Sequence, residues 1–296
     1  MKRVLIIGSS GLLGKAVVAG FSQIYKVTVS YHNTENSKTN LDFVKLNLFD
    51  EKNLELTLIN LIPDIVINCA GLSSVDLCEK LPEKAYLLNA HVPLVLARLA
   101  KKVGFKLVHI STDHFYSEIK SPRAENVEMR PVNKYGYSKL LGEDYMINYL
   151  PESLILRTNF FTYAPNSIGY FGKLINDLQS NSVYLGFEDV IFTPVGAKTL
   201  TQAIEKAISA NLTGIYNISS TEELSKYEFA LILKNILIKN ETKIIPSNSQ
   251  TVSERVTRPT YLSLSPKKFL NSIQFKMPSI EDMIVQELNS YGGKNE

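Results

Sequence analysis

The chain has 296 residues, 45% of them hydrophobic, and a formal net charge of +3 at pH 7. This size allows a large buried core, in one domain or in two closely associated ones. The basic residues are dispersed and no apolar run approaches the length of a membrane span, so neither nucleic acid nor a membrane is expected as a partner. The two cysteines, Cys69 and Cys78, form neither a disulfide framework nor a zinc site by themselves. We expect a cytoplasmic protein with reduced thiols and no metal.

The first half of the chain alternates apolar runs with segments of helical periodicity. Strands are predicted over Arg3–Ile7, Lys26–Tyr31, Phe43–Leu46, Ile65–Cys69, Lys106–Ser111 and Leu154–Arg157, and helices over Gly14–Gln23, Asp50–Leu61, Pro82–Val103 and Pro131–Tyr149. Asp50 is the expected N-cap of its helix, and Gly104 is the expected C-cap of the long one. Continuous apolar strands separated by helices indicate a parallel sheet covered on both faces. Right-handed crossovers then give an α/β, doubly wound fold of the Rossmann type.

The second half of the chain does not keep this alternation. Helices are predicted over Ala197–Ala210 and Lys226–Ile238, a strand over Gly214–Ile218, and irregular structure over Phe160–Gly172 and Ser247–Ser265. We expect a smaller, loop-rich C-terminal lobe that binds the substrate. The predicted dinucleotide-binding domain is 1–157 with about 194–212, and the predicted substrate-binding lobe is 158–193 and 213–296.

A glycine-rich loop joins the first predicted strand to the first predicted helix. Its sequence is Gly8-Ser9-Ser10-Gly11-Leu12-Leu13-Gly14, with the spacing G-x-x-G-x-x-G. Glycine permits a tight turn and a close approach of the backbone to a pyrophosphate, and the helix N-terminus attracts the phosphates. A bare glycine pattern is a weak signal, but between a strand and a helix it predicts a nicotinamide dinucleotide site.

The end of the second strand bears on the choice of cofactor. An acidic residue here would bind the ribose hydroxyls of NAD. The segment is Ser30-Tyr31-His32-Asn33, and no carboxylate occurs before Glu35. This pattern favours NADP(H) over NAD(H), with His32 among the cofactor-binding candidates. The alternative is that these are ordinary loop residues, with His32 a surface side chain.

Tyr135 and Lys139 lie one helical turn apart, so their side chains share a helix face. A free tyrosine has a pKa of about 10, and a nearby cation lowers the pKa of a phenol. The pair is therefore a candidate acid/base device. Taken alone, the spacing is weak evidence and is more typical of a solvated helix face.

Several further segments complete a pattern. They are Asn68-Cys69-Ala70-Gly71, Val75-Asp76-x-x-Glu79, Asn89-Ala90, Ile110-Ser111-Thr112-Asp113, Tyr135-Gly136-Tyr137-Ser138-Lys139-Leu140-x-Gly142-Glu143, Arg157-Thr158, Thr193-Pro194, Gly214-Ile215-Tyr216-Asn217 and Arg258-Pro259. Together with the glycine loop they resemble the extended short-chain dehydrogenase/reductase superfamily. Within it, the chain is most similar to dTDP-4-dehydrorhamnose reductases and related sugar-nucleotide reductases, over nearly its whole length.

The resemblance implies a site for this chain. Catalysis would lie with Thr112, which bonds the substrate oxygen, with Tyr135 as proton donor, and with Lys139, which holds the nicotinamide ribose and tunes Tyr135. The implied cofactor residues are Gly8, Ser10, Gly11, Leu12, Leu13, Asn47, Leu48, Ala70, Gly71 and Leu72, joined by Tyr135 and Lys139. The implied substrate residues are Thr112, Asp113, Asn159, Lys173 and Arg258, with Arg255 as a further cation for a diphosphate. The implied function is NADPH-dependent reduction of a 4-keto-6-deoxy sugar nucleotide, in deoxysugar or surface polysaccharide biosynthesis.

The chain departs from the family pattern near the expected substrate. After Ser-Thr-Asp the family commonly continues Tyr-Val-Phe-Asp-Gly, whereas here the run is His114-Phe115-Tyr116-Ser117-Glu118. Asn159-Phe160-Phe161 stands where the family often has Trp. Away from the substrate, in the pair expected to flank the cofactor adenine, Asn47 stands where the family more often has Asp. The nucleotide, the sugar and the product stereochemistry therefore stay open, as does the oligomeric state, for which a homodimer is one alternative.

Two other functions remain open from the sequence. A sugar-nucleotide epimerase or epimerase-reductase shares the fold and the triad, but needs a retained cofactor or an additional acid/base. Of the histidines, His91 lies on the long helix, His109 is expected in the core strand, and His114 follows Thr112 with a structural role. The third alternative is a non-catalytic NADP-binding subunit, since the regulatory subunit of methionine adenosyltransferase resembles these reductases.

Overall fold

The computed structural model describes residues 1–32, 41–115, 121–164, 169–237, 241–251 and 256–292. The chain divides into two compact units. The first comprises Met1–Thr112, Pro131–Arg157 and Ala207–Tyr216, and the second comprises Asp113–Arg130, Thr158–Lys206 and Asn217–Glu296. Within the described residues, no helix has the length and apolar character needed to cross a membrane.

The first unit is built on a seven-stranded sheet formed by described residues. Its strands are β1 (Arg3–Ile7), β2 (Lys26–Tyr31), β3 (Asp42–Lys45), β4 (Ile65–Asn68), β5 (Lys106–Ile110), β6 (Leu154–Thr158) and β11 (Gly214–Ile218). Their order is β11-β6-β5-β4-β1-β2-β3, and the pairings from β3 to β6 are parallel. The chain crosses from one side of β1 to the other between β3 and β4, which confirms the predicted doubly wound α/β fold.

The helices of the first unit connect these strands. They are α1 (Leu12–Phe21), α2 (Glu51–Leu61), α3 (Val75–Lys80), α4 (Pro82–Tyr86), α5 (Val92–Val103) and α6 (Lys134–Tyr149). The two predicted caps are confirmed: the Asp50 carboxylate accepts a hydrogen bond from the Asn53 amide at 3.0 Å, and Gly104 adopts φ +91°. Positive φ is the conformation for which glycine is preferred at a helix C-terminus.

The predicted helix from Pro82 to Val103 is not regular throughout. A π turn, Leu87–His91, separates α4 from α5. It lies where α6 passes closest, since a Cβ on Gly142 would stand 2.2 Å from the carbonyl oxygen of Asn89. Such insertions in a helix often occur at functional sites. The sequence pattern misses this turn because its apolar periodicity continues across it.

Both faces of the sheet are covered. Leu5 and Ile7 of β1 belong to one apolar cluster, which includes Leu96 of α5 and Met146 of α6. Val4 and Ile6 point to the opposite face, because side chains alternate along a strand, and they are also buried. Burial on both faces explains why the apolar residues of β1 and β4, Val4 to Ile7 and Ile65 to Ile67, are consecutive rather than alternating.

The second unit contains short strand pairs and helices. Its strands are β7 (Phe160–Phe161), β8 (Val183–Phe187), β9 (Ile191–Phe192), β10 (Val195–Gly196), β12 (Leu224–Ser225) and β13 (Lys243–Ser247), and its helices are α7 (Gly169–Ser180), α8 (Ala197–Ser209), α9 (Lys226–Ile236), α10 (Lys267–Ser272) and α11 (Ile280–Gly292). The sequence analysis did not predict α7, α10 or α11. Phe161, Phe171, Phe192 and Phe229 pack as an aromatic cluster with ring centroids 5.0–6.1 Å apart. Phe161 and Phe171 of this cluster lie in Phe160–Gly172, for which irregular structure was predicted.

We predict that Gly142→Ala destabilises the protein by about 1–3 kcal/mol or more, because the added methyl meets a backbone carbonyl that cannot move aside. Asn148→Ala, at an exposed position of the same helix, is the matched control and is expected within about 0.5 kcal/mol of the wild type. Urea unfolding of both variants measures the difference. Equal stabilities of the two variants would show that α6 does not approach the π turn this closely.

Candidate active site

The β1–α1 loop requires glycine at two positions. Gly8 has φ +78°, and a Cβ there would lie 2.6 Å from the Ala70 nitrogen. A Cβ on Gly14 would lie 2.1 Å from the Gly8 carbonyl oxygen. Both distances are too short for any side chain, so the loop folds tightly over the end of β4 only because these residues lack one.

The start of α1 fits the pyrophosphate of a dinucleotide. Its N-cap, Gly11, has no side chain to occupy the helix end, and the first turn contains no acidic residue. Ser10 and Gly11 are exposed and Leu12 is half-buried, whereas the Leu13 side chain is in the core. The backbone N–H groups and the helix dipole at this end therefore suit an anion.

The ends of β2 and β3 carry the next cofactor candidates. His32 is exposed, and its Nδ1 lies 3.3 Å from the carbonyl oxygen of Leu46. Tyr31 is in register with Lys45 on the neighbouring strand. Asn47 is exposed and Leu48 is half-buried against the core cluster. Asn33 and Glu35, which the sequence analysis used in choosing the cofactor, lie outside the described residues.

Asn89 fixes the backbone that follows β4, where Ala70, Gly71 and Leu72 are placed. Its Oδ1 accepts a hydrogen bond from the Leu72 amide at 2.8 Å, and its Nδ2 donates to the Leu72 carbonyl at 3.0 Å. The same Nδ2 donates to the Ser138 hydroxyl on α6, also at 3.0 Å. Asn89 is fully buried in the π turn. Asn89 is part of a motif visible in the sequence, but the sequence did not predict that its side chain joins this loop to α6.

Tyr135 and Lys139 are both on α6, which begins after Asn133. The Asn133 side chain accepts a hydrogen bond from the Gly136 amide at 2.8 Å, so the helix start is fixed directly beside Tyr135. Tyr135 is half-buried, whereas only 5% of Lys139 is exposed. The alternative of a solvated helix face is therefore wrong for Lys139.

The Lys139 ammonium is held against β5. Its Nζ donates to the Ile110 carbonyl at 2.7 Å and lies 3.1 Å from Nε2 of His109. Burial lowers the pKa of Lys139 to about 8, partly offset by Glu143 and Cys69. Burial, and then the nearby Lys139, lowers the pKa of His109 well below its ordinary value. Lys139 thus contacts β5 at Ile110, two residues before Thr112, and its lowered pKa of about 8 brings its titration close to neutral pH.

A buried ion pair holds α6 on the sheet. The Glu143 carboxylate accepts hydrogen bonds from Nε and Nη2 of Arg157, at 3.0 and 2.6 Å, and neither side chain is exposed. Removal of one partner from such a pair leaves an uncompensated buried charge. Arg157 of β6 is therefore expected to hold α6 in place through Glu143.

Thr112 follows β5 and is buried. The preceding Ser111 amide donates to the Leu156 carbonyl at 2.7 Å, which continues the β5–β6 ladder up to it. The described first unit therefore contains Thr112, Tyr135 and Lys139 together with every sequence-predicted cofactor residue.

The remaining substrate candidates lie in the second unit. Asp113 is buried; its carboxylate accepts a hydrogen bond from the Asn159 side chain and lies 2.9 Å from Nδ1 of His114. Lys173 is exposed on α7, and Arg258 is half-buried. Arg255, like the Tyr116-Ser117-Glu118 run, lies outside the described residues.

Comparison with known proteins places this geometry in a family. A chain 30% identical, the spore coat polysaccharide biosynthesis protein SpsK of Bacillus subtilis, matches 90% of this chain and 89% of its own length. The methionine adenosyltransferase 2 subunit beta of Danio rerio is 27% identical over 87% of this chain and 81% of its own. The crystal structure of a hypothetical dTDP-4-dehydrorhamnose reductase from Sulfolobus tokodaii has 29% identity and a TM-score of 0.83, covering 95% of this chain and 98% of that one.

The fold, the glycine loop and the Tyr135/Lys139 helix define the extended short-chain dehydrogenase/reductase class, whose members are NAD(P)-dependent oxidoreductases. The model of the RmlD substrate binding domain matches residues 1–292, and the chain belongs to that family. The family predicted from the sequence motifs is confirmed.

We predict that Lys139→Met changes stability in a pH-dependent way. The pKa of Lys139 in the folded state, about 8, is below its ordinary value of 10.5. Burial of the charged side chain therefore lowers the stability of the folded protein at pH values below about 8, and this loss of stability disappears as the pH rises to 10.5. The free energy of unfolding of Lys139→Met, relative to that of the wild type, should be about 2–3 kcal/mol higher at about pH 7 than at about pH 10. Urea unfolding of the cofactor-free protein at both pH values measures this. The exposed Lys101→Met is the control for loss of a lysine, and a difference independent of pH would contradict the desolvation of Lys139.

Proposed function

We propose that this protein is an NADPH-dependent reductase of a 4-keto-6-deoxy sugar nucleotide, with Thr112, Tyr135 and Lys139 as its catalytic residues. The observation that carries the proposal is the burial of Lys139 against the Ile110 carbonyl, one helical turn from Tyr135 and beside the strand that leads to Thr112. When bound, the nicotinamide would supply the hydride for the keto carbon.

The three side chains have separate tasks in this reaction. Negative charge develops on the carbonyl oxygen as the carbon is reduced, and the Thr112 and Tyr135 hydroxyls would donate the hydrogen bonds that stabilise it. Tyr135 transfers its proton to that oxygen as the general acid. Lys139 supplies a positive charge on the same helix face and binds the nicotinamide ribose.

NADP(H) is favoured over NAD(H) by the charge at the end of β2. The described residues there, Tyr31 and His32, bring no carboxylate that would repel a 2′-phosphate. Lys45, in register with Tyr31, adds a cation to the same edge of the sheet. Positive charge at this position suits the additional phosphate of NADP.

A nucleoside diphosphate needs cations, and Arg258 and Lys173 are the described candidates in the second unit. An arginine guanidinium can bind a phosphate with two parallel hydrogen bonds, which makes Arg258 the stronger candidate. A product used in surface polysaccharide or deoxysugar biosynthesis is supported by the similarity to SpsK.

A second function is favoured by one specific comparison. The subunit beta of methionine adenosyltransferase 2 matches most of this chain, so a non-catalytic NADP-binding subunit is the alternative. The presence of Thr112, Tyr135 and a buried Lys139 favours the reductase, because a subunit that only binds a partner has no need of a general acid.

We expect Tyr135→Phe to lower turnover by at least about 10²-fold, because it removes the general acid and one donor to the developing oxyanion. NADPH binding should stay within a few-fold of wild type. The measurement is NADPH oxidation with dTDP-4-keto-6-deoxy sugars, together with a fluorescence titration of NADPH.

Tyr137→Phe is the matched control, since Tyr137 is on the same helix and 59% exposed, and it should keep wild-type turnover. A Tyr135→Phe variant with most of the activity would refute the acid role of Tyr135. Absence of turnover with every 4-keto sugar nucleotide tried would favour the non-catalytic subunit.

A thermal-shift panel with dTDP, UDP, GDP and CDP is expected to select one base, since a ligand that binds only the folded state raises the unfolding temperature. Arg258→Gln should abolish the shift given by that nucleotide while leaving the shift given by NADPH. Equal shifts with all four nucleotides, or an unchanged response of Arg258→Gln, would contradict the assigned diphosphate site.

A further inference from the structure

A chain of buried polar side chains runs from β4 to α6 behind Lys139. The Asn68 amide nitrogen lies 3.1 Å from Nδ1 of His109, and Nε2 of His109 lies 3.1 Å from Nζ of Lys139. Asn68 and His109 are 1% and 0% exposed, respectively. Buried polar groups at such distances are hydrogen-bonded, so each contact needs one donor and one acceptor.

The backbone fixes which groups donate and which accept in this series of hydrogen bonds. The Ala70 amide donates to Oδ1 of Asn68 at 3.1 Å, and a backbone N–H cannot exchange its role. Asn68 therefore presents its Nδ2–H to His109, and Nδ1 of His109 must accept. Burial and Lys139 lower the His109 pKa, so the ring is neutral, and its single proton is on Nε2.

The resulting Nε2–H of His109 points at Lys139. An ammonium has three donors and no lone pair, whereas a neutral amine has one lone pair. The second contact of Lys139, to the Ile110 carbonyl, is compatible with both forms. The His109 contact therefore becomes a hydrogen bond only when Lys139 is an amine.

We propose that His109 is a positioning residue that stabilises the neutral amine of Lys139, and so promotes the return of a proton from Lys139 to Tyr135 after reduction. The inference rests on the proposed function. The Tyr135 O–H bond breaks as the product oxygen gains the proton, leaving a phenolate. The phenolate then gains a proton from the Lys139 ammonium, and the amine left behind accepts the hydrogen bond from Nε2 of His109. Lys139 recovers its proton from solvent before the next cycle.

The other groups that face Lys139 do not take over this part. On α6, Glu143 is engaged with the Arg157 guanidinium, and Tyr135, one helical turn from Lys139, is the proposed recipient of the proton. After β4, burial raises the pKa of Cys69 to about 12, so the thiol stays neutral. On β5, His109 is the side chain that reaches Nζ, and Ile110 contributes its carbonyl.

The tautomer of His109 in the cofactor-free protein tests the inference without any substrate. Nitrogen-15 NMR is expected to show Nδ1 of His109 unprotonated and Nε2 protonated at neutral pH. The signals are assigned by their loss in His109→Phe. An unprotonated Nε2, or a doubly protonated ring, would overturn the proposal. This result does not depend on which substrate, if any, the protein reduces.

The pH profile tests the consequence for Lys139. His109→Phe removes the donor, so the titration of Lys139, followed through its ε-carbon by NMR, should move up by about one pH unit, the size of one net hydrogen bond. The basic limb of kcat/KM should move with it. His109→Gln, which restores an N–H donor, should return both toward wild type. His91→Gln, at the surface histidine that pairs with Glu51, is the matched control and should change neither.

A downward or absent shift in His109→Phe would mean that Nε2 accepts from the ammonium, and the proposal would be wrong. If His109→Phe does not fold, the proposal is tested by the tautomer measurement and by His109→Gln. A shift of the Lys139 titration by about one pH unit in His109→Gln would also refute the proposal. If the Lys139 titration behaves as expected and no keto-sugar nucleotide is reduced, the proposed function fails while the assignment of the amine contact stands.

Discussion

The desolvated ammonium of Lys139 is the constraint on which the candidate active site depends. A lysine removed from water costs free energy unless hydrogen bonds replace its hydration. Here the carbonyl of Ile110, the last residue of β5, supplies one such bond. The same burial that costs stability brings the pKa of Lys139 to about 8, which is the property that a proton donor at neutral pH requires. Burial of Lys139 therefore lowers both the stability of the folded protein and the pKa of this side chain.

Close backbone contacts set the positions of the glycine loop, the end of β4 and α6 around Lys139. Gly8 lies against Ala70, and Gly142 lies against the Asn89 carbonyl, each at a distance that excludes a side chain. These contacts bring the glycine loop, the end of β4 and α6 together, and the Asn89 side chain then ties the last two to each other. A polar side chain with three buried hydrogen bonds fixes one geometry, because any displacement leaves a buried group unsatisfied.

The candidate residues fall into two groups, one in each compact unit. The first unit contains the predicted cofactor residues and the three catalytic candidates. The second unit contains Asp113, Asn159, Lys173 and Arg258. The chain is similar over most of its length both to SpsK, a polysaccharide biosynthesis protein, and to the beta subunit of methionine adenosyltransferase 2. Function within the family is therefore expected to follow from the second unit and from whether the Tyr135/Lys139 device is retained.

The sequence alone determined the doubly wound fold, the glycine loop and the pairing of Tyr135 with Lys139, because these follow from local patterns: apolar runs, glycine spacing and helical periodicity. Strand ends and both predicted helix caps were placed within one or two residues for the same reason. The sequence did not predict the π turn, the role of Asn89 or the hydrogen bonds of Asn68 and His109. The hydrogen bonds that join Asn89 to Leu72 and Ser138, and His109 to Asn68 and Lys139, span 17 to 49 positions along the chain. No local pattern encodes contacts of this kind. Only the tertiary structure decided that Lys139 is buried and that Nε2 of His109 faces its ammonium, because both depend on how α6 packs against β5.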